Sequence, residues 1–564
     1  MRRMRVPLIV LILVYSLSVF GMVLVPGQDA AGNPLPVNYL NAAYYVAIMA
    51  TTVGFGEYPT AFTGAQRFYA MIILFPNVVA WLYAIGTILG LFLDAQFRGV
   101  LARARFARRV NRLAHDFFIV CGYGNTGKMI VQALLHRGYS AVVLDGDHDV
   151  IHDMALRDAV AHLPALTGDV TEQQLLENAG LEHPHCRGIM AITNDDHANL
   201  TIAITSKLLR PKLPVLARSE TARAAANMAS FGTDYVIDPY AIFAERFELA
   251  LSSPAKFLLQ DWLISVPGSQ LRDPFNPPAG RWIVCGRGRF GGRIVQCLER
   301  LALPYTVIDI HPDRIHHAND DVLGRGTEAH TLVAAKIHDA VGIVAGTGDD
   351  IDNLSIVMTA RELNPRLLTV VRQEQQENGR LFDTLGADMV ARRSMIVARH
   401  ILYIVTTPLL ATFLQHMLNQ DDGFAQRVSA RLKALLGGRS PAVWTTRLEG
   451  DAADGIAEAE RVGARIRLEH VMRHSRSTGA EQLRCFCLLL ERGAARVFLP
   501  EPTQELHAGD VLLMVGRDAA QREMLWTLSS PLALLASATG RVVPRSALWR
   551  YFNRKTRGGA ASGQ

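Results

Sequence analysis

Phe117-Phe118-Ile119-Val120-Cys121-Gly122-Tyr123-Gly124-Asn125-Thr126-Gly127 decides the fold of most of this chain. The apolar run 117–120 reads as a buried strand, and the GxGxxG turn from Gly122 to Gly127 opens an amphipathic helix. A second apolar strand, 141–144, ends at Asp145, 23 positions beyond Gly122. Glycines in such a turn let backbone N–H groups approach a pyrophosphate at a helix N-terminus, and a carboxylate at that offset accepts ribose hydroxyls. A lone GxGxxG is a weak signal; its place between a strand and a helix strengthens it.

The passage occurs twice. The apolar run 282–285 leads into Gly286-Arg287-Gly288-Arg289-Phe290-Gly291, and the strand 306–308 ends at Asp309, again 23 positions beyond the first glycine. Downstream, Thr193-Asn194-Asp195-Asp196-His197-Ala198-Asn199-Leu200 pairs with Thr347-Gly348-Asp349-Asp350-Ile351-Asp352-Asn353-Leu354. Arg218 pairs with Arg372, Asp234 with Asp388 and Pro254 with Pro408, all at one offset of 154 residues. A repeat of that length means a duplicated domain. Arg287 and Arg289 place two cations in the second turn, suited to phosphates. Asp195, Asp196, Asp349 and Asp350 read as carboxylates at helix N-termini, with a divalent-ion site as the lesser alternative.

Each copy resembles the RCK domain (regulator of potassium conductance), also found in potassium-uptake regulators of the TrkA kind, over most of residues 115–415. The resemblance implies a Rossmann half that binds NAD or an adenine nucleotide, followed by a helix that crosses over to a neighbouring domain. Residues 239–262 and 394–417 are apolar helical stretches suited to that crossing. The resemblance also puts Gly168 and Asp169 beside the adenosine, with Gly326-Thr327 at that place in the second copy. The nucleotide-binding residues implied are Gly122, Tyr123, Gly124, Asn125, Thr126, Gly127, Asp145, Gly168 and Asp169 in the first copy. In the second they are Gly286, Arg287, Gly288, Arg289, Phe290, Gly291 and Asp309. The expected divisions are a first RCK domain over 115–275, a second with its crossover helix over 280–420, and a small α+β C-terminal subdomain over 440–530. Residues 545–564 read as a disordered tail.

The first hundred residues have another character. Residues 6–25 and 68–93 are uncharged and apolar, each long enough to span a bilayer as a helix. Arg2, Arg3 and Arg5 precede the first span, and a basic linker, 97–114, follows the second, so both termini are expected in the cytoplasm. Between the spans, Asn38 stands ready to cap a helix over 39–50 that runs into Thr51-Thr52-Val53-Gly54-Phe55-Gly56-Glu57. This run resembles the selectivity filter of potassium channels, whose recurring core is TVGYG or TVGFG; Phe55 and Glu57 stand where Tyr and Asp are commoner. The resemblance implies a potassium ion held by backbone carbonyls of Thr52, Val53, Gly54 and Phe55 and by the Thr52 hydroxyl. Gly54 and Gly56 tolerate the backbone angles that inward carbonyls demand. Four such loops close one pore in that family, which implies a homotetramer. Pro76 and Gly86 are alternative bending points in the second span.

The chain of 564 residues has a formal charge of +6, concentrated beside the apolar spans, which points to membrane lipid as a partner and away from nucleic acid. The six cysteines lack metal-ligand spacing and read as buried, reduced thiols. The fold class expected is therefore an α-helical membrane pore, two α/β Rossmann-like domains and a small α+β subdomain. The function expected is a non-enzymatic, nucleotide-gated potassium channel subunit in a cell membrane. A membrane-anchored NAD-dependent oxidoreductase and a regulatory subunit of a potassium transporter are the alternatives. The first leaves 51–57 unexplained, and the second needs no filter.

Overall fold

A computed structural model describes residues 2–29, 33–54, 61–265, 267–270, 277–315, 320–461, 463–474 and 481–539. Phe55, Gly56, Glu57 and the tail over 545–564 lie outside the described residues. The chain divides into two compact units, Met1–Arg112 and Leu113–Gln564.

The first unit holds α1 (Arg2–Leu24), a two-stranded ribbon of β1 (Gly27–Gln28) and β2 (Pro34–Leu35), α2 (Tyr39–Ala50), α3 (Gly64–Leu93) and α4 (Ala95–Val110). Arg5–Leu24 and Gly64–Gly90 are long and apolar enough to cross a membrane. Leu13, Leu17, Phe75 and Leu82 are exposed along these helices, as lipid-facing side chains would be. The pair is joined by polar contacts that an apolar solvent leaves intact. Buried Asn77 donates from Nδ2 to Ser18 Oγ and to the Ile73 carbonyl, both at 2.7 Å. Pro76 stands beside it, so the side-chain amide adds a bond at a place where proline disturbs the helix ladder, and α3 runs on unbroken. Gly21 lies against the Tyr69 ring, whose hydroxyl donates to the Ser18 carbonyl at 3.2 Å. The basic linker is helical: α4 covers most of it.

In the second unit the doubled sequence gives two sheets of one topology. The first comprises β3 (Phe117–Cys121), α5 (Asn125–His136), β4 (Ser140–Asp145), α6 (His148–Ala155), β5 (Ala165–Thr167), α7 (Gln173–Asn178), β6 (Cys186–Ala191), α8 (Asp196–Leu209), β7 (Val215–Arg218), α9 (Ala222–Ser230) and β8 (Tyr235–Ile237). Its strands lie in the order β5-β4-β3-β6-β7-β8, all parallel. After α10 (Pro239–Ser252) and α11 (Pro254–Ile264), the second comprises β9 (Arg281–Cys285), α12 (Arg289–Arg300), β10 (Tyr305–Asp309), β11 (Val322–Leu323), α13 (Ala329–Ala334), β12 (Ala340–Ala345), α14 (Asp350–Leu363), β13 (Leu368–Gln373), α15 (Gly379–Leu385) and β14 (Met389–Arg392). The order β11-β10-β9-β12-β13-β14 repeats the first. Order reverses between the first and fourth strands of each sheet, which opens a crevice beyond their C-terminal ends. Strand 117–121 is buried throughout and 340–345 is buried apart from half-buried Val341, which explains such continuous apolar runs.

The crossover stretches are each two helices, not one. Pro254 and Pro408 lack an N–H and crowd the carbonyl four residues back. Ser253 (φ −146°, ψ 73°) and Thr407 (φ −143°, ψ 65°) leave the helical region in front of them. The second break separates α16 (Arg393–Thr406) from α17 (Pro408–Leu418) by a bend of 108°. Each domain lends its first crossover helix to the other. From α16, Val397, Ala398 and Ile401 complete the core of the first sheet, beside Ile130 and Leu134 of α5. From α10, Phe243 and Phe247 complete that of the second, with the Phe247 ring edge-on to Trp282 at 5.1 Å.

The chain ends in α18 (Asp422–Leu436), β15 (Ala442–Arg447), α19 (Asp451–Arg461), α20 (Leu468–Val471), β16 (Cys485–Arg492), β17 (Ala495–Phe498), β18 (Val511–Gly516), α21 (Asp518–Leu528) and α22 (Pro531–Thr539). The antiparallel sheet β15-β18-β16-β17 alternates its faces. Phe486, Leu488, Leu513 and Val515 pack on α11, α17 and α18, while Cys485, Cys487, Leu512 and Met514 pack under α19, α21 and α22. All six cysteines are free and buried, and burial pushes the Cys485 and Cys487 thiols up to about 12.

Candidate functional sites

In the first unit, the Asn38 side chain accepts the Asn41 N–H at 2.7 Å and starts α2. At the other end, Thr51 donates its hydroxyl to the Ala47 carbonyl at 2.8 Å, and the Thr52 and Val53 N–H groups still reach the Met49 and Ile48 carbonyls. Beyond this anchor the backbone alternates. Thr52 has φ 58° and Gly54 φ 64°, while Val53 between them stays outside the positive region. Alternating hands turn successive carbonyls to the same side, as a column of oxygen ligands requires. Thr52 is a threonine held where glycine is usual, a strain of the kind that clusters at functional backbone. Its hydroxyl donates to the Thr51 carbonyl at 2.7 Å. A Cβ on Gly54 would meet nothing within 4 Å in one chain, so positive φ, rather than lack of room, is what demands glycine there.

In the second unit, the first crevice is organised around Asp145 at the end of β4. Its Oδ2 accepts the Tyr123 N–H at 2.5 Å and its Oδ1 the Asp147 N–H at 2.9 Å. Gly122 (φ 106°) makes the turn and abuts the backbone of Ile192 and Thr193. A Cβ on Gly127 would run into the Gly122 carbonyl, whereas Gly124, capping α5, faces open space where a phosphate can approach. Asn125 and Thr126 begin α5. Gly168 donates its N–H to the Asp145 carbonyl at 3.0 Å and lies against Leu175. Asp169 accepts the Thr171 N–H and hydroxyl at 2.9 and 2.7 Å, and these bonds hold its carboxyl below the usual range. Gly127→Ala is expected to cost about 1–3 kcal/mol, as overpacking does, and to remove nucleotide binding from this crevice. Thermal melts and calorimetric titration of the solubilised protein measure the two effects.

The second crevice copies this frame. Asp309 accepts the Arg287 N–H at 2.6 Å and the His311 N–H at 2.9 Å; Gly286 has φ 91°, Gly288 caps α12 in open space, and Gly291 crowds the Gly286 carbonyl. Phe290 is fully buried beneath Tyr240 and Phe243. Two sequence readings are corrected. Register pairs Asp145 with Thr167 and Asp309 with Leu323, and Gly324 donates to the Asp309 carbonyl at 3.0 Å as Gly168 does to that of Asp145. Gly324 and Arg325, not Gly326 and Thr327, therefore stand where Gly168 and Asp169 do. Arg289, expected on a phosphate, instead reaches into the first domain and pairs with Glu220 at 2.5 Å.

That contact belongs to a network the sequence reading missed. Glu220 accepts from Arg218 of its own domain, from Arg289 and, at 2.9 Å, from Arg393 at the start of α16. Glu374 accepts from Arg372 at 2.5 Å and from the Tyr240 hydroxyl at 3.1 Å, and lies 3.5 Å from Arg393. Arg372 also stacks over the Tyr240 ring. Burial works against a charged Glu220, but its arginines win and hold the carboxyl below the usual range. The network joins the strand ends lining both crevices to the exchanged helices. The 154-residue offset already paired Glu220 with Glu374, and was the signal available. Asp196 and Asp350 brace it, accepting the Glu220 and Glu374 N–H groups at 2.8 and 2.7 Å, while Asp195 and Asp349 cap α8 and α14. No cluster fit to hold a metal ion occurs among the described residues.

Residues 118–239 and 282–393 match the TrkA-N domain family. The two matched stretches are the two Rossmann units. Among similar proteins, Potassium channel protein 1 of Methanocaldococcus jannaschii is 25% identical over 241 residues, covering 43% of this chain and 68% of that one. Probable potassium channel protein 2 of the same organism is 24% identical over 207 residues, covering 36% of this chain and 59% of its own length. The solved GsuK channel has 18% identity and a TM-score of 0.47, covering 93% of this chain and 97% of that one. In the two Rossmann units, the glycine turns and their carboxylates occupy the crevice where that α/β topology binds ligands.

Proposed function

We propose that the chain is a subunit of a potassium-selective membrane channel whose opening is set by nucleotides bound to its two TrkA-N domains. The observation that carries this reading is the run from Thr51 to Gly54. It continues a capped helix between two membrane-length helices and alternates backbone hand at Thr52 and Gly54. Potassium would be held by carbonyls of Thr52, Val53, Gly54 and Phe55 in a pore of four chains, with both termini in the cytoplasm. The named potassium channels among its relatives support the reading.

The nucleotide sites would bind NAD or an adenine nucleotide through the turns at Gly122–Gly127 and Gly286–Gly291, with Asp145 and Asp309 on the ribose. A ligand shifts a two-state pore only by its differential affinity for the states. Moving a pore from ~1% to ~99% open takes roughly 5.5 kcal/mol. Spread over the four equivalent sites of one domain type alone, that is about 1.4 kcal/mol each, a tenfold preference and ordinary for coupled sites.

Single-channel recording with NAD, ADP and ATP perfused on the cytoplasmic face tests the proposal. Open probability is expected to change with nucleotide, and Asp145→Ala or Asp309→Ala to shift the dose response to higher concentration without altering selectivity. Indifference to all three nucleotides at millimolar concentration would refute nucleotide gating.

A further inference from the structure

The two TrkA-N crevices share one frame but not one charge. Around the first ribose carboxylate, Asp145, the positions compared are Tyr123 in the turn, Val150 five residues on in α6 and Asp169 two residues past β5. The corresponding places around Asp309 hold Arg287, Arg314 and Arg325. Three neighbours with a formal charge of −1 face three with +3. Burial pushes the Tyr123 phenol up in the first crevice, and the charge of Arg157 works against that rise. In the second, Arg314 lies 3.7 Å from Asp309, already offsetting the carboxylate that would repel a phosphate. Arg287 donates to the Arg314 carbonyl at 3.2 Å, which holds the two side by side. They line a cleft of about 300 Å³ against Gly292 and Gln296, with Glu299 and Asp313 on its wall. Glu299 is occupied by the Tyr305 hydroxyl at 2.7 Å. Arg325 is exposed and has no side-chain partner among the described residues.

We infer that the two crevices take different nucleotides. The first accepts one with free ribose hydroxyls, and the second selects one carrying a phosphate beyond those cradled by the glycine turn. The extra phosphate has two sources, a 2′-phosphate on the adenosine ribose of a dinucleotide or the longer chain of a nucleoside triphosphate. Arginine suits either, because its planar fork pairs with two phosphate oxygens and stays charged at any physiological pH. An arginine near the ribose carboxylate is also how an α/β crevice admits a 2′-phosphate. The inference rests on nucleotide binding by the TrkA-N domains, and concerns which nucleotide rather than whether one binds.

Hydrogen exchange of the full chain in detergent, read separately over residues 117–136 and 281–300, tests it with NAD, NADP, AMP and ATP. NADP, ATP or both are expected to protect the second segment at a concentration at least about tenfold below that needed with NAD or AMP. Protection by NADP alone places the extra phosphate on the ribose, and by ATP alone on the phosphate chain. Arg314→Ala and Arg325→Ala alter exposed or half-exposed side chains. Each is expected to erase the preference at the second segment and leave the first unchanged. Equal protection of the second segment by NAD and NADP together with AMP and ATP, or a preference untouched by both substitutions, overturns the inference. Protection of neither segment by any nucleotide overturns the underlying reading as well.

Discussion

Gly54→Ala is expected to abolish potassium conduction, or leave a pore that no longer distinguishes potassium from sodium. Gly54 holds φ 64°, where a side chain costs roughly 1–2 kcal/mol per residue. In the proposed pore of four chains that would multiply to about 4–8 kcal/mol, enough to turn the peptide over and point its carbonyl away from the ions. The space around Gly54 in one chain is open, so the methyl itself is no obstacle there. Flux of potassium into vesicles carrying the variant measures the loss. The second unit should melt as in the unmodified protein.

Glu220→Ala is expected to produce the largest loss of stability in the second unit. It leaves Arg218, whose side chain is 3% exposed, and Arg393 without their shared acceptor, and frees Arg289 from the first domain. Removing one partner of a buried ion pair costs about 3–5 kcal/mol, because the remaining charge is stranded. Glu220→Gln keeps the acceptor oxygen and should lose less. The sign of the pH dependence follows from a carboxyl held low in the folded state. The stabilisation is complete above the unfolded carboxylate pKa of about 4.3 and disappears as pH falls through the lower folded value. Urea midpoints at neutral pH and below pH 4 distinguish the variant from the unmodified protein: the gap should close in acid.

The duplicated α/β architecture was legible because buried parallel strands are written as apolar runs and the glycine turns have fixed spacing. Helix α2 and its Asn38 cap were equally plain, since capping chemistry is local. Misread features depended on chain insertions or on distant partners. The repeat offset falls from 164 at Gly122 and Gly286 to 154 at Asn199 and Asn353, and the adenosine-side glycine lies between those anchors. Only the pairing of β10 with β11 places Gly324 there. Arg289 looked like a phosphate ligand because its partner, Glu220, is 69 residues away and in the other domain. The crossover breaks at Pro254 and Pro408 were visible in principle, since proline at a helix start is a local rule. Continuous apolar composition across them masked the stop.

Selective conduction through Thr52 to Gly56 is tested by the reversal potential of the unmodified, reconstituted protein. With potassium and sodium gradients opposed across the bilayer, the expected reversal potential lies near the potassium equilibrium value. A reversal potential near zero, with both ions permeating equally, would contradict it.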